Sequence, residues 1–202
     1  MKIRETFFKQ FSKPSGQLGR LVGWIMAIKN KNRLHWGIEK LQHQPEQAIL
    51  EIGFGPGSFI EILLTQHSHT GLIAGIDISD VMLQQASQRN SLAIAQGQVQ
   101  LKLASVEALP FSEHSFDRIF TSNTSMFWPN PVENIKEIAR VMKQHAILCI
   151  TLQPYWAKDE EGVRAEAEKL KIQMHEAGLK NIQVDFKAMR PVSCLCATAV
   201  KD

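Results

Sequence analysis

Residues 50–59 read LEIGFGPGSF: an apolar run that carries an acid, then three glycines at alternate positions, Gly53, Gly55 and Gly57. One glycine is enough for an ordinary turn from strand to helix. Each further glycine costs backbone entropy on folding, so three at this spacing mark a loop whose backbone bends sharply and leaves room for a ligand. The pattern that follows, SFIEILLTQ over residues 58–66, is helical, and Ser58 stands where an N-cap is expected. Such a helix offers its first N–H groups and the positive end of its dipole to whatever the loop holds.

Working outward, short apolar runs alternate with amphipathic helical stretches. Strands are predicted at AILEIG (48–53), GLIAGIDI (71–78), VQLKLAS (99–105), FDRIFTSN (116–123), AILCITL (146–152), IQVDFKA (182–188) and VSCLCATAV (192–200). Helices are predicted at 58–66, at 79–90 capped by Ser79 or Asp80, at 130–143 with Pro131 near its start, and at 159–177 ended by Gly178. This alternation predicts an α/β fold with a doubly wound, seven-stranded, mostly parallel sheet. Ligands of such sheets bind at the carboxyl ends of the strands, which is where the glycine loop falls.

Pro45 marks a boundary before this domain, which spans 46–202. Residues 1–17 are polar and basic, and residues 18–44 have helical spacing broken by KNKN at 29–32. The first 33 residues carry eight Lys or Arg and one acid, a net +7 against +3 for the whole chain, which leaves −4 for the remainder. A basic N-terminal helical extension therefore precedes a mildly acidic body. Its apolar stretch LGRLVGWIMAI, at 18–28, is far shorter than the ~20 residues needed to span a bilayer. The basic flank leaves membrane-surface contact as a minor reading. The body has no basic-aromatic stripe, which argues against a nucleic-acid partner.

The three cysteines, Cys149, Cys194 and Cys196, lie in strand-like apolar runs. They read as small buried hydrophobes in a reduced, cytoplasmic setting, without a second ligand pair for a metal.

The ligand can be narrowed. A dinucleotide fingerprint, G-x-G-x-x-G/A, would place Ser58 at its last position. The frame is instead Glu51-x-Gly-x-Gly-x-Gly. A carboxylate is awkward beside a pyrophosphate and favourable beside a cation, so Glu51 points to a ligand with a positive amino group. Asp77 ends the second strand, where an acid accepts hydrogen bonds from both ribose hydroxyls. Met82 is spaced either to lay its thioether on a flat base or to join the core.

Four stretches, ILEIGFGPGSF (49–59), GIDISDVMLQQA (75–86), ALPFSEHSFDRIFTSN (108–123) and EIARVMKQHAILCITL (137–152), together resemble the class I S-adenosylmethionine-dependent methyltransferases. The resemblance implies a Rossmann-like fold, S-adenosyl-L-methionine as cofactor, S-adenosyl-L-homocysteine as product, and a small-molecule acceptor. It implies that Glu51 and the loop of Gly53, Phe54, Gly55 and Gly57 hold the methionine part. Asp77 would take the ribose, with Ile78 and Met82 against the adenosine. Ser105, Val106 and Glu107 would flank the adenine, and Asn123 would face the methyl group. The extension, residues 1–45, is expected to fold over the cofactor as a lid.

Two departures stand out. Ser105 occupies a place where the family commonly has Asp, so either Glu107 or a backbone carbonyl is expected to share its task. KQHA, at 143–146, replaces the usual Pro-Gly-Gly turn before the fifth strand, at the edge away from the site.

TSMFWPNP at 124–131 puts Phe127 and Trp128 at the active edge as candidates for an acceptor pocket, with Tyr155 after the fifth strand and His35 in the extension. No Ser-His-Asp or metal constellation emerges, and no catalytic residue is named. Two alternatives stay open. A nicotinamide-dependent reductase would want a Tyr-Lys pair at helical spacing, but the single tyrosine, Tyr155, is followed by Lys158 and Asp159. The other is a non-catalytic cofactor-binding module that meets a protein or membrane partner through its basic arm.

Overall fold

The structure, a computed structural model, describes residues 30–202. The expected helix over 18–28 and the basic arm lie outside the described residues. Within them the chain runs α1 (Lys31–Leu41), β1 (Ile49–Ile52), α2 (Ser58–Gln66), β2 (Ile73–Asp77), α3 (Asp80–Arg89), α4 (Ser91–Ala95), β3 (Val99–Leu103) and β4 (Phe116–Ser122). After a short 3-10 turn (Ser125–Phe127) come α5 (Pro131–Val141), β5 (Met142–Leu152), α6 (Glu160–Glu176), β6 (Lys180–Lys187) and β7 (Cys194–Val200).

The strands form one sheet in the order β3-β2-β1-β4-β5-β7-β6. The first five are parallel, and β7 runs antiparallel between β5 and β6. Central β1 and β2 are apolar at nearly every position and buried on both faces, as parallel strands covered on both sides must be. Alternate residues go to opposite faces. Leu50 and Ile52 join the layer packed by α5 and α6, through Ile135, Ile138, Val163, Leu170 and Met174. Ile49, with Phe120 of β4, joins the layer packed by α1, α2 and α3. Phe59 of α2 stacks on Phe120 with ring centroids 4.1 Å apart.

α1 is built into this second layer. Leu34, Trp36, Ile38 and Leu41 are buried there beside Cys149 and Cys196. Lys40 pairs with Asp185 of β6 at 2.7 Å, and Arg118 of β4 donates to the Leu41 carbonyl. No helix among the described residues is long and apolar enough to cross a membrane.

Three local details differ from expectation. Ser58 does not cap α2: Gly57, in the left-handed region at φ 77°, takes that position, and the buried Ser58 Oγ has no partner among the described residues. KQHA does not precede the fifth strand; β5 starts at Met142 and passes through His145 at φ 63°. The short α4 escaped notice because five residues are too few to show a helical period.

Candidate functional site

The reversal of strand order falls between β1 and β4, and the loops after β1, β2, β3 and β4 meet there around a cleft of about 470 Å³. It is lined by Gly53 and Gly55, by Asp77, Ile78 and Met82, by Ser105, Val106 and Glu107, and by Asn123, Phe127 and Trp128. A small recess adjoins it, bounded by Glu51, Gly53, Phe54, Gly55, Leu34 and Ser122. The sequence also missed Ile52, Ile76, Ala104, Ser122, Thr124 and Pro129 in the cleft wall. They are apolar or small and carry no chemical signal of their own.

The glycine loop shows why its side chains are absent. Gly53 has φ 74°, and a Cβ there would lie 2.3 Å from Thr124 Cγ2. Gly55 has φ 52°, and a Cβ would meet nothing within 4 Å, because it would project into open space at the cleft edge. Phe54 turns the other way. Its ring lies against Gly75 of β2 and is buried in the core, so it serves the loop from beneath.

Two carboxylates share the site. Glu51 is 3% exposed, and its Oε2 has no hydrogen-bond partner among the described residues. Burial first, and then the Asp77 charge, raises its pKa well above the ordinary carboxylate value. Asp77 accepts from the Gly55 N–H through Oδ2 and from the Ser79 N–H through Oδ1, each at 2.9 Å. Burial raises its pKa, and those N–H groups oppose the rise. Each Asp77 oxygen keeps a second lone pair for a ligand hydroxyl. Neither carboxylate is paired with a cation among the described residues, so a ligand bringing positive charge is favoured here.

Ser79 caps α3 by accepting from the Met82 N–H, and this holds Met82 against the cleft while most of its side chain is buried. Ser105 Oγ donates to Glu107 Oε2 at 3.0 Å. The exposed Glu107 carboxylate is thus held at the cleft rim with acceptor capacity left. Asn123 sits at φ 56° after β4. Its Oδ1 accepts from the Gln153 N–H at 2.8 Å, and its Nδ2 donates to the Tyr155 hydroxyl at 3.2 Å. Trp128 lies between the cleft and a second cavity of about 380 Å³ that is also lined by Met126, Leu152 and Trp156. His35 and Tyr155 line neither cavity. His35 is half-buried on α1, and Tyr155 is 50% exposed at the end of the sheet. Among the described residues no cluster of His, Cys, Asp and Glu could hold a metal ion.

The residues present fit S-adenosylmethionine. The orphaned Glu51 oxygen asks for an ammonium, Asp77 for a diol, and the Gly55 edge for close approach of a ligand.

Comparison with known proteins gives the same picture. Residues 50–150 match the sequence family described as "Methyltransferase domain". The chain is 31% identical over 182 residues to the uncharacterized methyltransferase YdaC of Bacillus subtilis (strain 168), covering 90% of this chain and 98% of that protein. It is 29% identical over 164 residues to the biotin biosynthesis bifunctional protein BioHC of Teredinibacter turnerae, covering 72% of this chain and 28% of that longer one. Among solved structures, a SAM-dependent methyltransferase from Aquifex aeolicus superposes with a TM-score of 0.72 at 17% identity, covering 91% of this chain and 98% of that one.

Proposed function

The chain belongs to the class I S-adenosylmethionine-dependent methyltransferases, and from that premise we propose that the 470 Å³ cleft positions the cofactor for methyl transfer to a small organic acceptor. The observation that carries the assignment of the site is the pair of buried carboxylates at the ends of adjacent strands, one with an unmet oxygen.

In this reading Glu51 receives the ammonium of the cofactor's amino-acid end. Asp77, oriented by the Gly55 and Ser79 N–H groups, takes the ribose hydroxyls. Ile78, 41% exposed, and Met82 lie against the base, and the Ser105–Glu107 pair meets its edge. The cofactor when bound supplies a sulfonium-activated methyl group. The protein's part is then positioning and exclusion of water, which in favourable systems contribute about 7–11 kcal/mol. Asn123, locked by Gln153 and Tyr155, and the aromatic wall of Phe127 and Trp128 supply rigid surfaces on the acceptor side. Trp128 of that wall lies between the cofactor cleft and the cavity of Met126, Leu152 and Trp156, so an acceptor with an apolar body suits this side of the cleft.

Isothermal titration with S-adenosylhomocysteine, with NADH as a control, tests the cofactor assignment. A radiolabelled methyl-transfer screen over pooled small molecules then tests the acceptor class. Cofactor binding with no labelled product from any pool would leave the reading of a small organic acceptor wrong.

A further inference from the structure

The segment between β4 and α5 separates two cavities. Thr124 lines the cofactor cleft, Ser125 and Met126 line the second cavity of about 380 Å³, Phe127 returns to the cleft, and Pro131 returns to the second cavity. Trp128 alone among the described residues lines both. The far wall of the second cavity is one face of α6. Glu166, Lys169, Leu170 and Gln173 follow the i, i+3, i+4, i+7 spacing that brings side chains to one side of a helix. A volume of this size suits a small molecule.

The cavity has an apolar floor and a polar lip. Trp128, Leu152 and Leu170 are buried. Trp156 is 46% exposed, yet its ring is held, because Nε1–H donates to Glu166 Oε1 at 3.1 Å. An indole fixed by its polar edge, with its apolar body bare beside a cavity, offers a stacking face for a flat ring. The two charges on the lip are not equivalent. The Glu166 side chain is largely covered and is engaged by Trp156. The Lys169 side chain is 64% exposed, and its one ion pair among the described residues is with Glu166 Oε2 at 4.0 Å. An exposed pair at that separation is weak, so the Lys169 ammonium is the charge left to answer a ligand. The floor selects an aromatic body and the lip selects an anion.

We infer that this second cavity is the subsite of the acceptor and that it takes a flat aromatic acid, with the ring against Trp156 and Trp128 and the carboxylate on Lys169. This rests on the neighbouring cleft holding the cofactor. With its carboxylate on α6, such an acceptor turns its other end to the wall that faces the cleft. The carboxylate is then a handle and not the group that is methylated.

The probe is 2-naphthoate, titrated by calorimetry into protein saturated with S-adenosylhomocysteine so that the cleft is filled. It is expected to bind about 3- to 10-fold more tightly than 2-naphthylmethylamine, which has the same ring and a cationic head. Trp156→Ala should weaken 2-naphthoate by about 10-fold, and Lys169→Gln should cut the preference for the anion to less than about 2-fold. Both side chains are exposed, so each variant should keep its affinity for S-adenosylhomocysteine within about 2-fold of wild type. Five results would each overturn the inference: 2-naphthoate that does not bind the loaded wild-type protein, an amine bound as tightly as the acid, a Trp156→Ala protein with wild-type affinity for 2-naphthoate, a Lys169→Gln protein with the full preference for the anion, or variants that lose both ligands equally. A wild-type protein that does not bind S-adenosylhomocysteine would instead remove the assignment of the cleft, and the acceptor role with it.

Discussion

Replacing Glu51 by Gln should move stability and binding in opposite directions. In the free protein the Glu51 carboxylate is buried, lacks a partner for Oε2 and feels the Asp77 charge. An unmet buried polar group costs about 1–3 kcal/mol, and more when charged. Gln keeps the shape and drops the charge, so the free variant is expected to be more stable by about 1 kcal/mol, or roughly 2–4 °C in melting temperature for a chain of this size. The pH dependence fixes the sign. Burial raises the folded pKa of this acid above its ordinary value of 4.5. Below that ordinary value the carboxyl is protonated in both the folded and unfolded wild-type protein, and the variant gains nothing from the lost charge. As pH rises towards the folded pKa, the wild type loses stability because its unfolded chain ionises first, and the advantage of Gln grows. Binding responds in the other sense. The bound ammonium needs the ionised carboxylate, so the variant should lose about 1.5–3 kcal/mol of cofactor affinity, roughly 10- to 150-fold. Wild-type affinity should also fall as pH drops through the raised pKa. Urea unfolding of the free protein at several pH values and calorimetry with S-adenosylhomocysteine read the two effects separately. A Glu51→Gln protein that is less stable when free, or that binds with wild-type affinity, would refute the reasoning.

Other substitutions probe the rest of the site and its support. Gly53→Ala meets both a left-handed φ and a 2.3 Å approach to Thr124, so a loss of about 2–4 kcal/mol in urea unfolding is expected. Gly55→Ala meets no protein atom within 4 Å; it should cost only about 1–2 kcal/mol of stability from its φ, while weakening cofactor binding in calorimetry far more than this modest strain would suggest. Ser79→Ala removes the cap of α3 and should cost about 1 kcal/mol, with a smaller loss of affinity because Met82 and the Asp77 loop shift. His69 is 4% exposed, its ring meets that of His43 edge-on with centroids 5.4 Å apart, and burial lowers its pKa to about 4. A lowered histidine pKa means stability is intact above the unfolded value of 6.5 and is lost as pH falls towards 4. The loss relative to His69→Phe should approach about 3 kcal/mol in urea titrations at the two ends of that window.

The parts of the fold that sequence could reveal are those whose physics is local. Three alternating glycines next to an acid define a ligand turn without knowledge of anything distant, and the strand-helix alternation follows from two different hydrophobic periods. Asp77 was legible because the end of a parallel strand is a defined place. Arg33 was not: along the sequence it is one of eight cations in a basic stretch, and only the packing of α1 across β4 and β5 turns it from a solvated charge into a buried one. Ser122 and Thr124 went unremarked for the same reason. Small polar side chains have no signature until a backbone turn aims them. Ser58 misled because the sequence shows a good capping residue, whereas the loop needs a left-handed residue at that point and gives the cap to Gly57.

β7 is seventh along the chain and sixth across the sheet, flanked by β5 and β6. Until residues 194–200 have left the ribosome, β5 presents an open row of amides and carbonyls along one whole side, and β6 has no place to dock. The five parallel strands around the cleft pair with one another without β7, whereas among the described residues β6 pairs with β7 alone. Truncation or oxidation near Cys194 and Cys196 would therefore be felt first as self-association through the bare flank of β5, before any change reached the ligand cleft.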